Sequence, residues 1–374
     1  MLTVQPSVVA RRWGGCCGLL LMLLCLTASA AATGQADSPE CPSEKLLVTI
    51  SVLQAGQGDA ILVRCPDMKT QTLIDAGESN ERYPNAEDLF FNALLSRMGA
   101  DRTLELAINT HPHQDHLFNF VAMTDAEKGK RSLRIERYID NGADDPASQL
   151  EERIRTQILA SGGIPEVAPP GASRITLCPG DGASAVVLTL FAPLPEWNAR
   201  LGCPGNLNDC SLVSRLEVGT FSMLLLGDAL EGWEAVALAD AEGRDLLRPA
   251  TILKPGHHGA ASTGIALLNA AQPRAIVLTT GEPGKGTTAL YAFPEVQAVD
   301  RMLAYLRDSA PSEITAQRVL QACEKRDQNC DWQQRPVPAQ LLSTAIDGSV
   351  DIAVHPNVAC IKNDRGSSVL VTHE

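Results

Sequence analysis

The sequence predicts an α/β fold in which two mixed β-sheets pack face to face and helices cover their outer surfaces. Strand and helix signals intermix along the chain without the strict alternation that a doubly wound parallel sheet requires. Several neighbouring strand signals are separated only by short turns, as in antiparallel meanders. Hydrophobic residues make up 45% of the 374 residues, which is enough for a sizeable core.

Strands are predicted where branched apolar residues recur between clusters of turn residues. The predicted strands are Leu46 to Gln54, Ala60 to Arg64, Gln71 to Asp75, Leu104 to Asn109, Leu133 to Ile139, Ala185 to Phe191, Leu212 to Val218, Phe221 to Leu226, Ala250 to Lys254, Ala275 to Thr279 and Val350 to Val354.

Helices are predicted where apolar residues recur with helical spacing between a capping residue and a stop. The predicted helices are Asn85 to Met98, Ser148 to Ala160, Leu230 to Asp240 and Pro294 to Arg307. Asn85 is expected to cap the first helix, which turns Leu89, Leu94 and Leu95 inward. The charged run Glu151 to Arg155 is interpreted as a solvated helix face.

The N-terminus has the pattern of an export signal. A pair of arginines precedes the short apolar stretch Gly18 to Leu26, and an Ala-Ser-Ala cleavage motif ends at Ala30, so residues 1–30 are interpreted as a signal peptide. The mature protein is then expected to be periplasmic or secreted. Because Trp13 to Ala32 carries no charge, an uncleaved membrane anchor is the alternative.

The remaining chain divides by composition into three parts. Residues 31–44 are a linker rich in Ala, Ser, Gly and Pro, residues 45–308 carry the strand and helix signals, and residues 309–374 form a C-terminal extension that contains cysteines. We expect residues 45–308 to be the folded domain that carries the function.

Cysteine usage agrees with export. Eight of the 11 cysteines follow the predicted signal, and an even number in an oxidising compartment indicates disulfides. Cys203–Cys210 and Cys323–Cys330 are the local pairings that the spacing favours. A cysteine zinc site is the alternative, and the absence of any C-x-x-C pair weakens it.

The formal net charge of −13 limits the kinds of molecule that the protein is expected to bind. An acidic surface repels phosphate backbones at long range, so avid non-specific nucleic-acid binding is not expected. A phosphoester or another small molecule remains compatible as substrate, because bound metal ions reverse the local sign of the charge. Nothing in the sequence predicts a transmembrane channel.

The hexapeptide His111 to His116 (HPHQDH) carries the strongest chemical signal. It places three of the seven histidines of the chain and the carboxylate of Asp115 at the end of a predicted strand. Imidazole and carboxylate are the ligands that zinc and manganese accept. Because adjacent side chains point in different directions, His111, His113, Asp115 and His116 are expected to bind two divalent metals rather than one.

Two downstream motifs contain further candidate ligands. Asp228 ends the apolar run Leu224 to Gly227, where a buried carboxylate is costly unless it is paired or binds a metal. An ordinary helix N-cap is the alternative for Asp228. His257 and His258 follow another predicted strand, and one can bind the second metal while its neighbour contacts substrate.

Taken in order, these motifs resemble the metallo-β-lactamase superfamily. The resemblance rests on Val52 to Ala60, Leu73 to Gly77, His111 to His116, Leu226 to Asp228 and Leu253 to Gly259, and it covers about residues 46–308. The sequences of these motifs most resemble those of the C-terminal domain of ComEC competence proteins and its stand-alone relatives. The resemblance implies an αββα sandwich and a metal-dependent hydrolase.

The resemblance also implies roles for individual residues. His111 and His113 would hold a first metal, and Asp115, His116 and either His257 or His258 a second. Asp228 would bridge the two zinc or manganese ions, and a hydroxide between the metals would be the nucleophile. The residues expected in catalysis are therefore Asp115, Asp228, His257 and His258. Asp59 and Asp75 resemble scaffold positions that brace the ligands through hydrogen bonds.

The chain departs from the superfamily pattern in three places. It has no histidine between His116 and His257, where many members have a further metal ligand. Asn208 or Asp209 is the candidate for that ligand or for a substrate contact. Ala260 stands where these relatives have Ser after His-His-Gly, and Phe293 stands where they have His before Pro, so substrate contacts are expected to differ.

Three functions follow from this reading. The leading one is hydrolysis of phosphoester bonds by an exported phosphodiesterase or nuclease, as the ComEC-like resemblance implies. The first alternative is a β-lactam or lactone hydrolase of the same fold. The second is a non-catalytic binding protein that keeps a structural metal.

Overall fold

The computed structural model describes residues 41–42, 45–78, 85–125, 129, 131–146, 148–260, 262–309, 318–324 and 330–373. The predicted signal peptide (residues 1–30) and most of the predicted linker (residues 31–44) lie outside the described residues. No helix within those ranges is both long and apolar enough to cross a membrane.

The described residues contain twenty strands and ten α-helices. The strands are β1 Val48–Val52, β2 Ile61–Arg64, β3 Gln71–Ile74, β4 Thr103–Leu104, β5 Leu106–Ile108, β6 Arg134–Ile135, β7 Arg137–Asp140, β8 Ile164–Val167, β9 Gly171–Cys178, β10 Val186–Ala192, β11 Val213–Val218, β12 Phe221–Leu225, β13 Ile252–Lys254, β14 Ala275–Leu278, β15 Val319–Cys323, β16 Trp332–Pro336, β17 Leu341–Ser343, β18 Val350–Val354, β19 Val358–Asn363 and β20 Ser368–Thr372. The helices are α1 Ala86–Arg97, α2 Gln114–Thr124, α3 Leu150–Ala160, α4 Pro195–Leu201, α5 Glu231–Ala239, α6 Ala241–Leu246, α7 Ile265–Ala271, α8 Thr288–Tyr291, α9 Val296–Ser309 and α10 Thr344–Asp347.

Two large mixed sheets organise the described residues. One has nine strands in the order β20-β19-β18-β1-β2-β3-β5-β7-β8, and the other has seven in the order β17-β14-β13-β12-β11-β10-β9. In each sheet an antiparallel part is joined to a parallel part, which begins at the β3–β5 pair in the first sheet and at the β12–β13 pair in the second. The mixed α/β fold that the sequence predicts is confirmed.

Apolar side chains on both faces of the strands explain the layered packing. Along β1, Val48, Ile50 and Val52 point into the core between the two sheets. Side chains on the opposite faces pack under helices, with Leu62 in the cluster beneath α1, α2 and α3, and Leu224 in the cluster beneath α5, α7 and α9. Successive strand residues point to opposite faces, so one strand serves two cores.

Several predicted elements differ in detail from the observed ones. The predicted strand Leu104 to Asn109 is divided into β4 and β5, and Leu133 to Ile139 is divided into β6 and β7. Both breaks arise because β4 and β6 leave the nine-stranded sheet and pair with each other. The Glu105 side chain at the first break accepts a hydrogen bond from the backbone of Gln71 at 2.6 Å.

The first predicted helix has the expected position but a different buried face. Phe90, Phe91 and Leu94 are buried, whereas Leu89 and Leu95 are only half-buried. Asn85 precedes the helix with a φ of 71° and makes no side-chain capping bond, so the predicted cap is wrong.

The segment that the sequence sets apart as a C-terminal extension supplies strands to both large sheets. β17 pairs with β14, and β18 pairs with β1. The predicted strand Val350 to Val354 is observed as β18, whereas β19 and β20 were not predicted.

Four disulfides join the eight cysteines that follow the predicted signal. The local pairs Cys203–Cys210 and Cys323–Cys330 are confirmed. The pairs Cys41–Cys360 and Cys65–Cys178 link residues 319 and 113 positions apart, and sequence spacing does not indicate them.

We expect protein recovered from an oxidising compartment to have essentially no free thiol among these eight cysteines. Each pair has its Cα atoms 5.5 to 5.8 Å apart, the separation that a disulfide requires. Thiol titration under denaturing conditions measures this, with a fully reduced sample as the control. A count of about eight free thiols in periplasmic material would contradict the expectation.

Candidate metal centre

The hexapeptide His111 to His116 lies where β5 ends and α2 begins. His111 and His113 are in the connecting loop, and Asp115 and His116 are in the first turn of α2. The His111 Nε2 and His113 Nδ1 atoms are 3.0 Å apart. Helix α2 is not among the helices that the sequence predicts, and it explains how adjacent Asp115 and His116 project in different directions.

The second part of the site comes from the carboxyl ends of the parallel strands β12 and β13. Asp228 follows β12, and its side chain is buried. His257 and His258 follow β13 and have φ angles of 46° and 53°, in the left-handed region. The His257 backbone N–H donates to the Gly227 carbonyl at 3.1 Å, which ties the two ligand-bearing turns together.

Asp228 lies between two groups of potential ligands. Its Oδ1 atom is 3.1 Å from His116 Nε2 and 3.3 Å from His258 Nε2. Its Oδ2 atom is 3.6 Å from His111 Nε2. In each of two groups the ligand atoms all lie within 4.8 Å of one another: Asp115, His116, Asp228 and His258 form one, and His111, His113 and Asp228 form the other.

The donor atoms of the first of these groups fit a cation. The His116 Nδ1 atom is 2.8 Å from Asp75 Oδ2, and the His258 Nδ1 atom is 3.1 Å from Thr279 Oγ1. These contacts orient both rings so that their Nε2 atoms face each other at 3.3 Å. The Asp228 Oδ1 atom is buried and accepts no hydrogen bond of normal geometry, although both Nε2 atoms lie within 3.3 Å of it. A divalent metal would satisfy all of these atoms at once.

The electrostatics keep Asp228 ionised. Burial disfavours the charged form of its carboxyl, but the facing imidazoles of His116 and His258 outweigh burial and hold the pKa of Asp228 well below its ordinary value. Burial also lowers the pKa of His257 to about 4, against the attraction of Asp228, so that ring is neutral at neutral pH.

Asp75 and Asp59 lie behind the ligands. Asp75 accepts hydrogen bonds from the Thr110 backbone N–H at 2.7 Å and from the Thr110 hydroxyl at 2.8 Å. Asp59 pairs with the ammonium group of buried Lys254 and accepts from Thr279 Oγ1 at 2.6 Å. Asp59, Asp75 and His116 also come within 4.8 Å of one another, but these contacts already occupy the carboxylates.

Asn208 and Asp209, the two candidates in the 203–210 loop for a metal ligand or a substrate contact, have different positions in the structure. The Asn208 Nδ2 atom is 3.4 Å from His257 Nε2, so Asn208 lies at the site. Asp209 instead accepts from the Leu230 and Trp233 backbone N–H groups at 2.8 and 3.3 Å, beside the start of α5. Those bonds turn Asp209 away from the ligands, because the amides at the beginning of a helix attract a carboxylate.

Sequence reasoning did not identify the network that holds the His111 loop. The Asn109 side-chain amide donates to the His111 carbonyl at 2.9 Å and to Glu151 at 2.7 Å. Glu151 also accepts from the Tyr138 hydroxyl at 2.6 Å, and burial together with the neighbouring Asp140 raises the pKa of Glu151 to about 8. The interpretation of the Glu151 to Arg155 run as a solvated face is therefore wrong for Glu151.

Lys254 was also missed as a site residue. Its ammonium group donates to the Gly227 carbonyl at 2.8 Å and is fully buried. A lysine at the end of an otherwise apolar strand was the available signal, since an uncompensated buried charge is costly. Lys254 thus connects the Asp59 turn to the backbone just before Asp228.

Comparisons with known proteins agree with this geometry. Residues 53–191 match the model of the metallo-beta-lactamase superfamily. ComE operon protein 3 of Bacillus subtilis (strain 168) is 23% identical over 284 residues, which cover 72% of this chain and 31% of that protein. The chain thus spans about a third of the length of this curated relative.

Two solved structures are similar to parts of this chain. The short form of human tRNase Z has a TM-score of 0.39 and 15% identity, and the match covers 62% of this chain and 92% of that one. Zn²⁺-bound PqqB from Methylobacterium extorquens has a TM-score of 0.35 and 13% identity, with 55% and 71% covered.

The family match covers β2 to β9 and most of β10, and it includes the His111 to His116 hexapeptide. The mixed sheets with outer helices and the two ligand groups around Asp228 are consistent with that match. Over residues 53–191 the chain is therefore similar to the metallo-β-lactamase superfamily, and its fold is consistent with that superfamily.

Proposed function

We propose that this chain is an exported phosphodiesterase with two divalent metal ions. The observation that carries the proposal is the position of Asp228, one ionised carboxylate shared by two groups of His and Asp ligands. A structural metal needs a single closed set of four ligands, so two groups joined by one carboxylate favour catalysis over a structural role.

In this proposal His111, His113 and Asp228 hold the first metal, and Asp115, His116, His258 and Asp228 hold the second. Two divalent cations held there would supply an activated water and compensate the charge of a phosphoryl group. Thr279 and Asp75 orient the His258 and His116 rings by the hydrogen bonds described above.

Asn208 and His257 are the residues proposed to contact substrate. The His257 side chain is 20% exposed, whereas those of His111, His116 and His258 are fully buried. Asn208 Oδ1 and His257 Nδ1 are buried polar atoms without a hydrogen-bond partner in the described structure. A polar group of a bound substrate would remove the cost of leaving these atoms unpaired.

Phosphodiesters are favoured over β-lactams by the composition of the first ligand group. Its protein ligands are two imidazoles and the shared carboxylate, and Asn208 offers only an amide oxygen. With Asn208 in place of a third imidazole, the first group is less nitrogen-rich, which shifts its metal preference from zinc toward manganese. A phosphodiester can complete the coordination with its own oxygen, so substrate and metal are expected to bind cooperatively. The ComEC-like resemblance of the sequence motifs implies the same substrate class.

Export is proposed from two independent features. Four disulfides suit an oxidising compartment, and the N-terminal residues have the pattern of a signal peptide. We place the mature protein in the periplasm or outside the cell.

We expect turnover of a chromogenic phosphodiester, rising along a manganese titration and lost on treatment with a chelator. A chromogenic cephalosporin and a lactone, assayed at the same metal concentrations, are the controls for the alternative chemistry. Metal content should reach up to two ions per chain, as two ligand groups permit. Robust cephalosporin turnover with no phosphodiesterase activity would favour the β-lactamase alternative, and bound metal with no turnover of any substrate would favour a binding protein.

A further inference from the structure

Three rings stand in a row beside the candidate metal centre. The Phe293 ring meets the His257 ring edge to face, with centroids 4.7 Å apart. On its other side Phe293 lies nearly parallel to Tyr291, with centroids 6.2 Å apart and 15° between the planes. Phe293 is 5% exposed and Tyr291 is 56% exposed, so the row runs from the site to the surface.

Hydrogen bonds hold the backbone of this row in place. The Glu295 backbone N–H donates to the Gly259 carbonyl at 2.8 Å, which fastens the segment after Phe293 to the His257 turn. At the other end Tyr291 N–H donates to the Thr287 carbonyl at 3.0 Å, and Thr287 N–H donates to the buried Glu78 carboxylate at 2.8 Å.

A rigidly held ring that faces solvent is well suited to stacking. Its backbone and its neighbour are already ordered, so little conformational entropy is lost when a second ring lies on it. A single exposed tyrosine is unremarkable. Tyr291 differs because the ring beneath it contacts His257, and His257 Nδ1 and Asn208 Oδ1 are buried without a hydrogen-bond partner among the described residues.

We infer that the outer face of Tyr291 is a binding platform for a planar ring carried by the substrate, such as a nucleobase. This inference rests on the proposed phosphodiesterase function for the identity of the scissile bond. The scissile phosphoryl group would lie at the metal ligands, and a ring farther along the substrate would stack on Tyr291 with Phe293 behind it. Asn208 and His257 would contact polar atoms between the two.

The net charge of the chain limits the class of substrate further. A net charge of −13 disfavours a long polyanion, and the bases of a duplex are already stacked on one another. The platform therefore fits short nucleoside or aryl phosphodiesters better than double-stranded nucleic acid.

A binding measurement tests the platform without reference to catalysis. In the metal-loaded Tyr291→Trp variant, thymidine 5′-monophosphate should quench the fluorescence of the new tryptophan in a saturable way. Ribose 5-phosphate, which has the phosphate without a base, should not quench it. The wild-type protein supplies the background from its own tryptophans. No saturable quenching by the nucleotide, or equal quenching by both ligands, would overturn the inference.

Inhibition provides the second measurement. With methyl p-nitrophenyl phosphate as reporter substrate, Tyr291→Ala should raise the inhibition constant of thymidine 5′-monophosphate roughly tenfold, the usual effect of removing one stacking partner. The inhibition constant of ribose 5-phosphate should stay unchanged, and Tyr291→Phe should behave like the wild type. Leu159→Ala, at an exposed apolar residue on α3, is the matched control. An unchanged constant for the nucleotide in Tyr291→Ala would overturn the inference.

The two measurements separate this inference from the proposed function. If the wild type hydrolyses no phosphodiester, the proposed function fails, and the fluorescence titration alone decides whether Tyr291 binds a ring. If the wild type is active and Tyr291→Ala binds nucleotide as tightly as before, only the platform fails.

Discussion

Asp228→Ala is expected to abolish phosphodiester hydrolysis and to lower the number of metal ions bound per chain. Both ligand groups lose a member in this variant, because Asp228 is the one residue that they share. The loss of several kcal/mol of metal-based transition-state stabilisation corresponds to at least about a thousandfold in rate. The measurements are steady-state turnover and metal content by elemental analysis on the same preparation.

The control for this variant is a carboxylate of the same type on the surface. Asp245→Ala removes a side chain that is 80% exposed and should change neither turnover nor metal content. Circular dichroism should show that Asp228→Ala is folded, so that lost activity is not lost structure. An Asp228→Ala protein with wild-type metal content and turnover would refute the shared-ligand role.

Lys254→Met is expected to lower the free energy of unfolding by about 3–5 kcal/mol, the usual cost of leaving a buried charge without its partner. Lys254 is fully buried and pairs with Asp59, which is 1% exposed. The variant also removes the bond from Lys254 to the Gly227 carbonyl, so metal affinity should fall as well. Urea denaturation with the disulfides intact measures the stability.

A second variant separates the unpaired charge from the lost side chain. Lys254→Met combined with Asp59→Asn removes both charges and keeps an acceptor for the Thr279 hydroxyl, so most of the stability should return. Lys285→Met, at a half-exposed lysine paired with Glu282 three residues away, should cost less than about 1 kcal/mol. If Lys254→Met is no less stable than Lys285→Met, the buried pair is not what holds this part of the site.

The candidate ligands could be predicted from the sequence because each is part of a local motif. Three histidines in one hexapeptide, an aspartate after an apolar strand and a His-His pair are visible without knowledge of the fold. The residues that orient these ligands could not be predicted in the same way. Thr279 hydrogen-bonds to Asp59 across 220 positions, and an isolated threonine after a strand gives no sign of that contact.

The sequence also cannot predict which of two neighbouring loop residues lies at the site. Asn208 and Asp209 are equally plausible ligands by residue type. Only the fold reveals that the amides at the start of α5 attract Asp209, which leaves Asn208 beside His257. Helix α2 was missed for a related reason, because its first turn consists of candidate metal ligands rather than of apolar residues at helical spacing.

The pairing of β1 with β18 has a consequence for biosynthesis. These strands exchange hydrogen bonds in register from Val48 with Val354 to Val52 with Val350, although some 300 residues separate them. A chain made from its N-terminus therefore has an unpaired β1 edge while every strand of the seven-stranded sheet is being synthesised. Exposed edges of this kind favour aggregation. The nascent polypeptide thus cannot form the β1–β18 pairing of its larger sheet until translation has passed β18.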